Sequence, residues 1–168
     1  MTRKPTRTRW LRNLAVTGSL VATTVTAGTV ATDPDGEWYE KLSKPDWQPP
    51  RAAFPLVWTT LYADIALTSA AALTELDRRG ETAEAAALRK ALASNLALNG
   101  AWSWLFFRSH NLAASAVGAG ALAASSLRLT LRAGRAGRRY AALLAPYALW
   151  TAFATVLATV VWRRNPEA

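Results

Sequence analysis

Residues 38–62, WYEKLSKPDWQPPRAAFPLVWTTLY, join an aromatic, proline-rich segment directly to an apolar segment that carries Trp58 and Tyr62. The prolines of the first half are typical of a stiff loop, and the second half predicts the start of a long helix. Aromatic and apolar residues are combined again in 97–107 (ALNGAWSWLFF) and 146–165 (PYALWTAFATVLATVVWRRN). The three stretches together predict helices whose aromatic side chains converge.

The composition predicts a membrane protein. Of the 168 residues 51% are hydrophobic, although the chain also carries 20 basic and 11 acidic side chains. Charge and apolarity must therefore be segregated along the sequence. A helix of about 20 residues, at ~1.5 Å per residue, spans a ~30 Å hydrocarbon core. Windows of about this length lie near 10–31, 53–76, 84–107, 112–131 and 140–162.

These windows predict an all-α polytopic membrane protein, a bundle of five transmembrane helices with an ordered outer loop between the first two. We expect one membrane domain over residues 10–165, preceded by a basic cytoplasmic N-terminus at 1–9. The turn at 108–111 and the Arg/Gly-rich stretch at 132–139 are interpreted as plain linkers.

The placement of the charges predicts the orientation. The net charge is +9, and basic residues concentrate on one side of the predicted bundle, whereas residues 33–50 are mainly acidic. Under the positive-inside rule this places the N-terminus in the cytoplasm and the C-terminus outside, in what we expect to be a bacterial cell membrane. The basic residues on the cytoplasmic side are Arg3, Lys4, Arg7, Arg9, Arg12, Arg78, Arg79, Arg89, Lys90, Arg128, Arg132, Arg135, Arg138 and Arg139.

Two alternatives remain open at this point. A nucleic-acid-binding face would need aromatic residues among the arginines, and Tyr140 is the only one in 128–140. The basic start, the apolar run and the small residues near 27–31 also fit a cleaved signal peptide, although this Thr-rich run is long for a signal core. The chain has no cysteine, which excludes a disulfide framework and a thiolate metal site.

The connection over 33–51 is predicted to be an ordered lid. At about 19 residues it exceeds the usual length of a link between helices. The sequence Asp33-Pro34-Asp35-Gly36 indicates a turn. Large aromatic residues and stiff prolines follow it, which a disordered linker would not need: Trp38, Tyr39, Pro45, Trp47, Pro49 and Pro50.

Helix geometry predicts where the aromatic side chains converge. Residues three or four apart share a face, and rise places these faces roughly 7–14 Å below the outer helix ends. An aromatic-walled cavity with an asparagine amide suits a flat, largely apolar ligand. The alternatives are core packing for the tryptophans and helix–helix hydrogen bonding for the asparagine; Trp10 and Trp162 are expected to be interface anchors. The shared faces comprise Trp58 and Tyr62; Asn95, Asn99, Trp102 and Phe106; and Trp150, Ala154 and Leu157.

The three aromatic stretches resemble the TspO/translocator family, also called tryptophan-rich sensory or peripheral benzodiazepine receptor proteins. The resemblance implies a five-helix bundle, often dimeric, that binds porphyrins and isoquinoline- or benzodiazepine-type ligands, and cholesterol in animal members. No cofactor is required, and porphyrin or haem would be a ligand. The positions that match the family's pocket are Trp58, Asn99, Trp102, Phe106, Trp150, Ala154 and Leu157. We expect the ligand to contact Tyr39, Tyr62 and Phe153 as well.

Some bacterial members of this family degrade porphyrins in light, and the resemblance assigns that role to Tyr39 and Trp150. The chain departs from the family pattern at Leu157-Ala158, where Leu-Asn is common, and at Thr159-Val160, where animal members have Tyr-Tyr. The cholesterol consensus needs that tyrosine, so the departure argues against sterol recognition.

Three classes of function follow from these features. The first is a membrane sensor or transporter that binds porphyrin-like or other flat apolar molecules. The second is a light-dependent porphyrin-degrading enzyme, and the third is a scaffold without a ligand. No His, Cys or acid pair converges in the predicted cavity, so any chemistry would be photochemical and would depend on Tyr39 and the tryptophans.

Other residues are given structural roles. Asp64, near mid-bilayer and in line with Thr68, predicts a structural hydrogen bond, with proton handling as the alternative. His110, in a short turn, is expected to be exposed and not to ligate haem iron. Small residues four apart predict a close helix contact, within the monomer or in a homodimer: Ala93, Ala97 and Ala101.

Overall fold

The structure, a computed structural model, describes residues 6–166, and helices are the only regular secondary structure over that range. Residues 1–5 and 167–168 lie outside the described part. The first of these segments includes Arg3 and Lys4, which the sequence analysis assigns to the cytoplasmic side. Five long helices and one short helix make up the described part: α1 (Thr6–Ala31), α2 (Glu37–Lys41), α3 (Ala53–Arg79), α4 (Thr82–Phe107), α5 (Leu112–Ala136) and α6 (Arg138–Arg164).

Each predicted apolar window is a helix, and four of the five extend past their apolar limits into charged residues. The predicted linker at 132–139 was wrong: α5 continues to Ala136 and α6 begins at Arg138. Arginine is a good helix former, so a cluster of arginines does not end a helix. Gly137 alone separates the two helices, with φ 155° and ψ 145°, a conformation essentially limited to glycine.

The long helices form a closed ring in the order α1, α3, α6, α5, α4. Helix α1 packs on α3 and α4, α5 packs on α4 and α6, and α3 packs on α6. One end of the bundle, here called the loop end, carries α2 and the rest of loop 32–52. The other, here called the basic end, carries the short α3–α4 and α5–α6 connections.

Four of the long helices, α1, α3, α5 and α6, are long and apolar enough to cross a membrane within the described residues. Helix α4 is as long, at 26 residues. It begins with charged residues, and Asn95 and Asn99 lie buried along it, which lowers its hydropathy. The structure therefore supports a multi-pass membrane protein with four evident spans.

Asp77 joins three helices at the basic end. Its carboxylate accepts hydrogen bonds from Arg12, at 2.9 Å, and Asn13, at 3.1 Å, both on α1. It also accepts from Arg89 on α4, at 3.1 Å. Charge-assisted hydrogen bonds of this kind are stronger than neutral ones, so this carboxylate fixes α1 and α4 against α3.

Candidate ligand-binding site

The residues predicted to line a cavity are grouped in two aromatic layers. The first layer lies between α3 and α6, toward the middle of the bundle. The Trp58 ring lies 5.4 Å from that of Tyr62 and 6.5 Å from that of Trp150. Tyr147 completes the layer, with its ring 6.4 Å from Trp58 in an edge-to-face arrangement. Such geometry is favourable between aromatic rings.

A chain of hydrogen bonds joins this layer to α4 and α5. The Tyr62 hydroxyl donates to Asn99 Oδ1 at 2.6 Å, and Asn99 Nδ2 donates to the Tyr147 hydroxyl at 3.2 Å. The Tyr147 hydroxyl in turn donates to Asn95 Oδ1 at 2.8 Å. Asn95 Nδ2 donates to Ser126 Oγ at 3.0 Å. The chain thus ties four helices together through groups that are largely shielded from the surroundings.

The sequence analysis missed Tyr147 and Ser126. Tyr147 is fully buried and lies three residues before Trp150, on the same helical face. That spacing was a usable signal. No signal in the sequence points to Ser126, because it resembles the other small residues of this Ala-rich helix. Asn99 contacts two tyrosines at once, so it bridges helices as well as facing the aromatic layer.

The second layer lies at the loop end, where the α2 segment covers the bundle. The Trp102 and Phe106 rings stack at 5.2 Å. The Tyr39 ring lies 6.0 Å from Phe106, and the Phe153 ring lies 5.8 Å from Trp47 of the loop. Leu157, buried on α6, packs in the same cluster.

Trp150 connects the two layers. Its ring lies 5.3 Å from that of Phe153 and 6.0 Å from that of Phe54. Its indole Nε1 is buried and donates to no partner among the described residues. The Trp102 indole, by contrast, donates to the Ser115 carbonyl at 2.9 Å. A buried donor without a partner is costly, so an acceptor placed next to the Trp150 indole would be stabilising. Ala154, one turn further along α6, is half-buried.

Loop 32–52 is held down by the end of α6. The Ser43 amide donates to Asn165 Oδ1 at 2.8 Å, and Asn165 Nδ2 donates back to the Ser43 carbonyl at 3.0 Å. Arg164 donates to the Lys44 carbonyl at 3.0 Å. The predicted ordered loop therefore exists, and its attachment to α6 was not foreseen. We call this set of contacts the loop clamp.

Tyr39 lies inside the loop with its hydroxyl partly shielded. Gln48 donates to that hydroxyl at 3.4 Å, and Lys44 Nζ lies 4.5 Å from the ring centroid. Burial raises the pKa of the Tyr39 phenol, although the Gln48 hydrogen bond and the charge of Arg51 act in the opposite direction. Burial, and next the charge of Arg51, lower the pKa of Lys44. The phenol is thus a hydrogen-bond donor at neutral pH.

Asp64 and His110 have the structural environments that the sequence predicts. Asp64 is half-buried and accepts a hydrogen bond from Thr68 at 2.6 Å within α3. His110 is exposed, and its ring stacks on Trp38 at 4.1 Å. Among residues 6–166, no group of His, Cys, Asp and Glu could hold a metal ion.

The predicted small-residue face of α4 is exposed on the described bundle. Ala93, Ala97 and Ala101 are exposed. Gly100, by contrast, is buried and faces Thr24 on α1, where an added Cβ would be in ordinary van der Waals contact at 3.8 Å. The predicted close helix contact through these alanines is therefore not made among residues 6–166.

The long apolar helices surround a partly polar interior, and aromatic residues are concentrated at one end of the bundle. This arrangement is that of a multi-pass membrane protein. Residues 14–163 match the model of the TspO/MBR family. The chain belongs to this family, which confirms the resemblance seen in its three aromatic stretches.

Curated relatives from bacteria and animals extend along most of the chain. It is 35% identical over 131 residues to the uncharacterised membrane protein YtaB of Bacillus subtilis, covering 78% of this chain and 82% of the relative. Protein CrtK of Rhodobacter capsulatus is 33% identical over 147 residues, 87% of this chain and 89% of its own. The human translocator protein is 34% identical over 128 residues, 76% of this chain and 75% of its own.

Proposed function

We propose that this chain is a membrane receptor that binds a flat, largely apolar ring molecule of the porphyrin class. The site lies between α3, α4 and α6, beneath loop 32–52. Its walls would be the two aromatic layers, comprising Tyr39, Trp58, Tyr62, Asn99, Trp102, Phe106, Trp150, Phe153, Ala154 and Leu157. Family membership supports a membrane sensing or binding role, and the names of its relatives include a translocator protein.

The buried, unpartnered Nε1 of Trp150 carries the proposal. This nitrogen lies where the two layers meet. A planar ligand inserted between the layers would bring an acceptor to the nitrogen, and the faces of the ligand would contact tryptophan and phenylalanine. A porphyrin supplies both a large apolar face and carboxylate acceptors. The rings contact one another in the described structure, so binding requires them to separate.

Titration of the purified protein with protoporphyrin IX in the dark tests this function. We expect saturable binding of one porphyrin per chain, above the partition into empty detergent micelles that serves as the control. Illumination of the complex then distinguishes a receptor from a light-dependent porphyrin-degrading enzyme. A defined new absorbing product would assign porphyrin breakdown to this protein, and the absence of saturable binding would reject the receptor.

We further infer five membrane spans, including α4, with the basic end in the cytoplasm. This follows from the arginines at that end and the acidic loop at the other. A Ser43→Cys variant should be labelled by an impermeant thiol reagent in intact cells, and an Arg138→Cys variant only after permeabilisation. Both positions are exposed, and the native chain has no cysteine to interfere. The opposite labelling pattern would invert the orientation.

A further inference from the structure

A groove runs along the outer face of α5 at the basic end, apart from the aromatic site. It has a volume of about 370 Å³ and is lined by Ala124, Leu127, Arg128, Leu131, Arg132 and Arg135. These residues recur once per helical turn, singly or as adjacent pairs, so they form a single face of the helix. The groove thus combines apolar walls with three guanidinium groups.

The arginines of this groove are only partly neutralised. Arg132 pairs with Glu84 on α4 at 3.3 Å. Within residues 6–166, neither Arg128 nor Arg135 lies within ion-pair distance of an acidic side chain. Like charges three or four residues apart on a helix repel one another. A bound anion between them would remove that repulsion and would gain charge-assisted hydrogen bonds.

The same face also carries exposed apolar side chains, which alternate with the arginines along the helix. Leu127 and Leu131 are 54% and 62% exposed, and Val117, further along the helix, is 72% exposed. Helix α5 is one of the four helices long and apolar enough to cross a membrane, so in a bilayer these exposed side chains would face lipid chains. Arg128 lies about 12 Å from the helix end by helical rise, and its long side chain can extend toward the headgroup layer.

We propose that this groove binds an anionic phospholipid. Its phosphate would lie among Arg128, Arg132 and Arg135, and one acyl chain would lie along Leu127, Leu131 and Val117. Apolar contact and phosphate recognition therefore meet at adjacent turns of one helix. A diffuse positive surface would attract anionic lipids without this arrangement, so the proposal predicts a difference between arginines in the groove and arginines elsewhere.

Native mass spectrometry of lipids retained by the protein tests the groove. The protein in nonionic detergent would be mixed with equal amounts of phosphatidylglycerol and phosphatidylcholine that have the same acyl chains. We expect the natural chain to retain phosphatidylglycerol on the order of 10-fold more often. Arg128→Gln with Arg135→Gln should bring this ratio close to one, while lysine at both positions should keep most of it.

The matched control is Arg138→Gln with Arg163→Gln, which removes the same charge from exposed positions outside the groove. It should leave the ratio unchanged. An equal loss in the control, or no preference in the natural chain, would overturn the proposal. Full competition by glycerol 1-phosphate, which has the headgroup chemistry without acyl chains, would also overturn it and would indicate a site for a soluble phosphate.

Discussion

Trp150→Ala is expected to weaken protoporphyrin IX binding by about 1–3 kcal/mol, the scale of a lost buried aromatic contact. This corresponds to roughly a 5- to 150-fold rise in Kd. Trp150 touches both aromatic layers, so no other single side chain is expected to contribute as much contact area. Trp150→Phe should cost less, on the order of 1 kcal/mol, because it keeps an aromatic ring while it loses the indole donor and part of the ring area. Absorbance titrations in the dark would measure both variants.

Trp104→Ala provides the control for this pair. Trp104 lies on α4 with an exposed side chain, and its indole donates to the Ala27 carbonyl away from both aromatic layers. It should bind porphyrin like the natural chain. If Trp150→Ala remains folded and binds with unchanged affinity, the proposed site is wrong.

Tyr147→Phe should lower the free energy of unfolding by about 1–2 kcal/mol, near the upper end for polar contacts between membrane helices. The change removes one hydroxyl and leaves both Asn95 Oδ1 and Asn99 Nδ2 without that partner. Tyr147 is fully buried, so water cannot replace the lost group. Unfolding in a denaturing detergent, followed by circular dichroism, would measure the difference.

Tyr140→Phe is the matched change on the same helix. The Tyr140 hydroxyl accepts a hydrogen bond from Arg139 at 2.6 Å at the basic end, where the arginine is exposed and can be solvated instead. Its loss should cost less than about 0.5 kcal/mol. Equal destabilisation by the two variants would show that the hydrogen-bond chain through Tyr147 adds nothing beyond ordinary packing.

The helices could be predicted because hydropathy depends on local sequence. Window limits near 31, 53, 107 and 112 agree with the helix ends to the residue. The linker prediction at 132–139 is wrong for a local reason as well. The Arg/Gly-rich composition is typical of a flexible connection, but arginine has a high helix propensity. The grouping of Trp58 with Tyr62 also follows from spacing within one helix.

Contacts between distant residues were beyond a single sequence. The position of Tyr147 between Asn95 and Asn99 depends on the rotation of α6 against α4, which is decided by packing. The loop clamp depends on Asn165, a polar residue at a helix end that looks like many others. The polar character of α4, visible as Asn95 and Asn99, reflects these partners and explains why hydropathy alone favours only four spans.

The loop clamp also sets the order in which the molecule can be completed. Ser43 and Asn165 are 122 residues apart in sequence, and a ribosome adding 5–20 residues per second needs on the order of ten seconds to make the intervening chain. Trp150 emerges late in the same interval. The contacts between the loop and α6 can therefore form only after the C-terminal helical hairpin has been synthesised. The proposed site is therefore complete only at the end of biosynthesis, when Trp150 and the loop clamp are both in place.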